Sequence, residues 1–302
     1  MTVSIESRIF AALLYADIFH YPLTLRELMQ WIVSDIQISS RVIQNHIKKL
    51  IKKNKIKYTP PFFYVSGHKK TIQFRIKRLA ASTNKWQRIR KTVKILTYIP
   101  TICMVGVTGG LAVNNADNQD DIDLLIIVRH DTLWITRFLT TALIELFSKR
   151  RHPGDFRVDN AICLNMFLTD KSLQISKKEQ GWYAAHEVLQ MVPLWQRNSM
   201  YSKYLRANKW TQKWFIRRYE FQKQIQIPSY RTNTNNIKWY QALEQPFREF
   251  QLWYMRKRRT TEVVTESVIR FHPNDARIWI RKSFRAKLRH YKVPLDKKYN
   301  QI

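Results

Sequence analysis

Three short, almost wholly apolar runs constrain this chain more than any other feature: Thr101–Val107, Asp123–Val128 and Ala161–Leu168. Each is rich in Val, Ile and Leu, is too short for a core helix and is bounded by turn-forming residues. Each therefore reads as a buried strand. Between the first two lie the turn Thr108-Gly109-Gly110 and a short helical start, Leu111–Asn114. Between the second and third, Leu133 to Ser148 reads as a helix. The order strand, helical turn, strand, helix, strand predicts an α/β (α+β) domain with a mixed sheet.

The chain has 302 residues, enough for two or three domains. Hydrophobic residues make up 45% and aromatics 13%, which supplies real cores and excludes a largely disordered chain. Residues 1–78 read as a small helical module. Ile9, Leu13, Ala16 and Phe19 recur at helical spacing, and Thr24 with Glu27 is a capping box that opens a second helix. Ser39 or Ser40 caps a third helix, with Val42, Ile43, Ile47, Leu50 and Ile51 on its apolar face. Its other face carries Arg41, Gln44, Lys48 and Lys49. Strand-like runs follow at Lys55–Tyr58, Phe62–Val65 and Thr71–Ile76. The turn at Ser66–Lys70, with Lys69 and Lys70, is expected to be a hairpin wing. Three helices followed by a hairpin resemble a winged helix-turn-helix, a fold that contacts either nucleic acid or protein. Residues 79–170 are expected to hold a connecting helix and the sheet core, and 171–302 a helical C-terminal domain.

Lys and Arg number 53 against 22 Asp and Glu, a net charge of +31. From residue 36 to residue 116 there is no acidic residue, against 17 Lys and Arg. A polyanion, DNA or RNA, is the partner such an excess suggests, with an incidentally basic surface as the bland alternative. No segment reads as a signal peptide or a membrane span, because Leu133–Phe147 is short and carries Arg137 and Glu145. Cys103 and Cys163 sit in apolar runs and read as free thiols in a reducing cytoplasm.

The acidic residues are distributed unevenly. Asp117, Asp120, Asp121 and Asp123, four of the 22, fall within seven positions. Carboxylates gathered this way repel one another unless they are solvated or neutralised, and a divalent cation is a natural neutraliser. Asp121 and Asp123 are two apart at the start of a strand, so both point to one face. Beside a double-glycine turn whose backbone N–H groups can approach phosphate, they form a site suited to a divalent cation and a nucleoside triphosphate.

The segments Val105-Gly106-Val107-Thr108-Gly109-Gly110-Leu111-Ala112 and Asp121-Ile122-Asp123-Leu124-Leu125-Ile126 resemble the DNA polymerase beta-like nucleotidyltransferases. The likeness covers about residues 100–170. The surrounding arrangement is similar to a bacterial group in which a winged-helix-like segment precedes this core and a helical region follows. Ile162-Cys163-Leu164-Asn165 and Phe271-His272-Pro273-Asn274-Asp275 fit that group. The resemblance implies that Thr108, Gly109, Gly110 and Asn114 bind the nucleotide and that Asp121 and Asp123 hold Mg²⁺, with Mn²⁺ as the alternative. The implied reaction is transfer of a nucleoside monophosphate from an NTP to a hydroxyl of RNA, DNA or protein, with release of pyrophosphate. Active relatives carry a third carboxylate on a later strand. The equivalent catalytic position here is Asn165, unless Asp155, Asp159 or Asp170 takes that role. Asn165 implies either weakened catalysis or a nucleotide-binding protein without turnover.

Other candidates read more simply. His186 fits a packed or surface histidine, and His272 with Asp275 fits a turn. In Tyr201–Lys223 the aromatics fit a core face, with the interleaved bases left to solvent or phosphate.

Overall fold

The N-terminal module is built on a helix whose middle, Ile9 to Ala16, is apolar all round. Ser4 caps α1 (Ile5–Ile18), and every residue from Ile9 to Asp17 is buried. A stretch without a polar face has to be enclosed, and α1 packs against other helices on several sides. The computed structural model describes residues 3–152, 154–230, 237–256, 263–270 and 276–294. After α1 come β1 (Leu23–Thr24) and α2 (Leu25–Trp31), whose Thr24–Glu27 capping box forms as expected. Then α3 (Ser40–Lys52) buries Ile43, Ile47 and Leu50 and leaves Arg41, Gln44, Lys48 and Lys49 exposed. The antiparallel strands β2 (Ile56–Thr59) and β3 (Phe62–Val65) complete a three-stranded sheet in the order β1-β3-β2.

Two expectations for this module are corrected. The hairpin turn is at Pro60-Pro61, not at Ser66–Lys70, and Thr71–Ile76 is no strand. That run opens α4 (Thr71–Leu96), a helix of 26 residues. Thr71-Ile72-Gln73-Phe74-Arg75-Ile76 satisfies a two-residue period locally. Its burial follows the helical one: Thr71 and Arg75 are buried, while Phe74 and Ile76 are exposed. Lys69 and Lys70 accordingly sit on the exposed turn into α4 rather than on a hairpin tip.

The basic run is also only partly a surface. Arg75 is buried, donates to Glu27 at 2.8 Å and lies over the Tyr21 ring. Lys85, lower on the same helix, is fully enclosed.

The central sheet begins with β4 (Ile102–Val107), α5 (Gly109–Ala112), β5 (Ile122–Val128), α6 (Leu133–Phe147) and β6 (Ile162–Thr169), close to the boundaries read from sequence. β4 and β5 are antiparallel, while β5 and β6 are parallel with α6 crossing between them. From Leu124 to Val128 the side chains on both faces of β5 are buried, which accounts for an unbroken apolar run.

Residues beyond 170 are not a helical layer alone. They supply α7 (Trp182–Gln190), β7 (Val192–Arg197), α8 (Met200–Ala207), α9 (Gln212–Lys223), β8 (Ser229–Tyr230), α10 (Ile237–Met255), β9 (Val263–Val264), β10 (Val268–Arg270) and α11 (Ala276–His290). The sheet order is β8-β7-β4-β5-β6-β10-β9, so late strands flank the early core on both sides. In β7 the register shifts beside Pro193, which cannot donate to the ladder and breaks a simple alternation.

Helices cover both faces of the sheet. Met104, Leu125 and Ile127 belong to one core with α1, α7 and α11, continuous with the N-terminal module. Val105, Leu124, Ile126 and Phe167 belong to the other, with α4, α6 and Met255 of α10. Among the described residues no helix is long and apolar enough to cross a membrane.

Candidate active site

At the end of β4 the Thr108 N–H donates to the Asp123 carbonyl at 3.0 Å. The chain then turns through Gly109, at φ +65°, into α5. A Cβ on Gly109 would lie 2.5 Å from Asp123 Oδ2, so only glycine lets that carboxylate rest against the turn. Gly110 is under no such constraint, since its Cβ would meet Ala116 at an ordinary 3.6 Å.

The loop before Asp121 is held from beneath. Lys85 Nζ donates to the carbonyls of Asn118 (3.2 Å) and Asp120 (2.5 Å) and to Asn160 Oδ1 (3.1 Å). Burial lowers its pKa, and the charges of Asp120, Asp121 and Asp159 work in the opposite direction. One enclosed ammonium thus ties together the two loops that lead into β5 and β6.

Asp121 and Asp123 converge with Cys163, the β6 residue paired with Asp123, and one ligand atom from each lies within 4.8 Å of the others. Arg151 Nη1 donates to Asp121 Oδ2 at 2.6 Å. Residues 149–151 run beside the start of β6, with Arg151 N–H donating to the Ile162 carbonyl, and this places the guanidinium over Asp121. Desolvation works against the Arg151 charge, but bonding and attraction to Asp121 outweigh it and raise its pKa.

Asp123 differs from its neighbour. Burial first, then the Asp121 charge, push its pKa up to about 7, against the opposing Cys163 hydrogen bond. Burial and the two carboxylates raise the Cys163 thiol, so it remains an S–H donor to Asp123. Two carboxylates beside a protonated thiol form a hard donor set that fits Mg²⁺ or Mn²⁺ better than a thiophilic metal.

The site opens into a cavity of about 1030 Å³. Gly109, Asp123, Cys163 and Asn165 line it, as do Arg137, Arg150 and Arg151. Tyr15, Trp31, Trp279 and Ile280 form apolar wall.

The sequence-predicted residues divide accordingly. Asp121 meets Asp123, Asp123 rests against Gly109, and Gly110 and Asn165 line the same cavity as Asp123, while Thr108 contributes a backbone bond. Asn114 is turned away: its Oδ1 accepts from Trp86 Nε1 at 2.7 Å, and Asn115 lines the cavity in its place. Asp159 is exposed and pairs with Lys149, whereas Asp170 pairs with His130 beyond the other end of β6. Asp155 lines the cavity and accepts from the His152 N–H. His186 is buried in an aromatic stack, 4.2 Å from Tyr15 and 4.5 Å from Trp31, and burial holds its pKa well below the usual value. Tyr204, Trp214, Phe215 and Tyr219 are core, while Lys203, Lys209 and Lys213 are exposed. His272 and Asp275 lie outside the described residues, as do residues 257–259 of the Arg256-Lys257-Arg258-Arg259 cluster.

Arg151, Lys85 and Glu187, another carboxylate on the cavity wall, carry no motif in the sequence. Their relation to the aspartates exists only once α4, α7 and residues 149–151 have docked. Comparison with protein-family models, with curated proteins and with solved structures gives no match.

Proposed function

We propose that the protein is a nucleotidyltransferase of the polymerase beta-like kind, acting on an NTP and a hydroxyl of nucleic acid or protein. The observation that carries this reading is the meeting of Asp121, Asp123 and the Gly109 backbone beside a cavity of about 1030 Å³, ample for a triphosphate. Asp121 and Asp123 would hold Mg²⁺ or Mn²⁺, which when bound neutralises phosphate charge. Gly109 leaves its backbone open to the triphosphate. Arg150 and Arg137 line the same cavity and suit phosphate oxygens, and Arg151 can exchange Asp121 for phosphate.

The α1-β1-α2-α3-β2-β3 order supports a winged-helix reading of the N-terminal module. On this reading Arg41, Gln44, Lys48 and Lys49 of α3 contact RNA or DNA. Lys69 and Lys70 add charge from the turn into α4.

A second reading has its own observation. β6 brings Cys163 and Asn165 to the site rather than a third carboxylate, which favours a nucleic-acid-binding protein that senses nucleotide without turning it over. Labelled NTP binding measured alongside label transfer separates the two: an active enzyme does both, and a sensor only binds.

A further inference from the structure

One face of α7 lines the cavity with Tyr183, His186, Glu187 and Gln190, at spacings of three, four and seven residues. His186 is committed to the aromatic stack. Glu187 is placed differently: it lines the same cavity as Asp123 and raises the Asp123 pKa through its charge. It nevertheless stands outside the tight cluster of Asp121, Asp123 and Cys163. Gln190 Nε2 reaches its Oε1 in a long bond of 3.4 Å, and the Tyr183 side chain also bonds it. α7 packs against α5, the short helix that opens at Gly109. Among the described residues the cavity-lining carboxylates are thus Asp123 from β5, Asp155 from the segment before β6 and Glu187 from α7, and of these Asp155 is exposed and accepts from the His152 N–H.

We propose that Glu187 is the general base of the transfer reaction, receiving the acceptor's proton while Asp121 and Asp123 serve the phosphate side. The inference rests on the nucleotidyltransferase reading of the site. The acceptor oxygen bonds to the α-phosphorus as its proton passes to a Glu187 carboxylate oxygen. The bond from the α-phosphorus to the bridging oxygen breaks, and its electron pair leaves on pyrophosphate. Glu187 then gives the proton to water.

Three observations support this role. β6 offers a thiol and an amide near the aspartates, neither of which is a carboxylate base. Glu187 lines the same cavity as Asp123 and Gly109 yet stands outside the cluster. Burial also lifts its carboxyl to about 7, with Tyr183 opposing, which suits a base working near neutrality. The other titratable groups coupled to it are Asp123 from β5, Tyr15 from α1 and Tyr204 from α8.

The test compares wild type, Glu187→Gln, Glu187→Asp and the double variant Asp121→Ala/Asp123→Ala. Each receives α-labelled NTPs and Mg²⁺ with total cell RNA, DNA and protein, and both label transfer and cleavage to NMP are read. Glu187→Gln is expected to lower kcat by about 10²–10⁴-fold while leaving the NTP Kd and KM unchanged. It should also make the acidic limb of the wild-type pH profile shallower, with Asp123 accounting for what remains, and Glu187→Asp should recover part of the rate. Wild-type rates in Glu187→Gln, with loss confined to the double variant, overturn the base assignment and leave the nucleotidyltransferase reading intact. Loss of NTP binding in Glu187→Gln together with kcat also overturns it, by making Glu187 a structural or binding residue. No NTP turnover by wild type overturns both.

Discussion

The Arg151 guanidinium holds Asp121 at 2.6 Å, so one of the two carboxylates already has a positive partner before any cation arrives. A divalent ion therefore has to compete with Arg151 for Asp121. Arg151→Met is expected to tighten Mn²⁺ binding in the absence of nucleotide by roughly 3–10-fold, the scale of a charge-assisted hydrogen bond partly offset by solvent. The same change should weaken NTP binding. Titration calorimetry with Mn²⁺ alone and then with NTP checks both directions, and unchanged Mn²⁺ affinity contradicts the competition.

Gly109 and Gly110 should respond in opposite ways. Gly109→Ala puts a methyl 2.5 Å from Asp123 Oδ2 at a φ of +65°, so the carboxylate has to move. A loss of about 1–3 kcal/mol in stability is expected, with loss of Mn²⁺ binding. Gly110→Ala meets only ordinary contacts and should keep both properties. Thermal unfolding and Mn²⁺ titration of the two variants make the comparison.

The pH dependence of metal-free stability has a defined sign. Asp123 and Glu187 both titrate near 7 in the folded protein, above their ordinary values of 3.8 and 4.5. Through these two groups the folded state binds more protons than the unfolded state between about pH 4 and pH 7, while His186, whose pKa burial holds well below the usual 6.5, works the other way. The contribution of the two carboxyls to stability should fall as pH rises through that window and level off above it. Asp123→Asn should remove part of the slope, and adding Glu187→Gln should remove more. Tm measured from pH 4 to pH 8 without metal, for wild type and the variants, reads this as the difference between them, and a difference that does not change with pH contradicts it.

Lys85 is expected to be worth more than a surface lysine. Lys85→Met leaves the carbonyls of Asn118 and Asp120 and the Asn160 amide oxygen without their shared donor inside the protein. A cost of about 2–4 kcal/mol is expected in urea unfolding, with faster proteolysis in the loop 114–121. A change within about 0.5 kcal/mol would mean that the ammonium does not organise the loop.

Binding of nucleic acid should be steep in salt. If Arg41, Lys48 and Lys49 each meet a phosphate of a DNA duplex, replacing all three should reduce the slope of log K against log salt by about 2.7. Filter binding across a salt series measures it, and an unchanged slope removes α3 from the contact surface.

Legibility tracked the range over which each feature is determined. The Thr24–Glu27 box, the amphipathic α3 and the strands around Gly109 and Asp123 rest on neighbours a few residues apart, and they form where expected. Thr71–Ile76 supports two periods, and only burial of Thr71 and Arg75 decides for a helix. β7 was hidden by Pro193 and a register shift, so its pairing with β4 had no local mark. The aspartate pair was visible as a spacing. Its partners Arg151, Lys85 and Glu187 come from elements brought in by the fold, and nothing near them in the chain announces the site.

The central claim is that Asp121 and Asp123 form the working end of a nucleotide-transferring site. The most direct measurement incubates wild type and the Asp121→Ala/Asp123→Ala variant with α-labelled NTPs, Mg²⁺ and total cell RNA, DNA and protein, with circular dichroism confirming that both are folded. Label should enter an acceptor with wild type and vanish with the folded variant. Equal labelling by the two proteins, or none by wild type, contradicts the account.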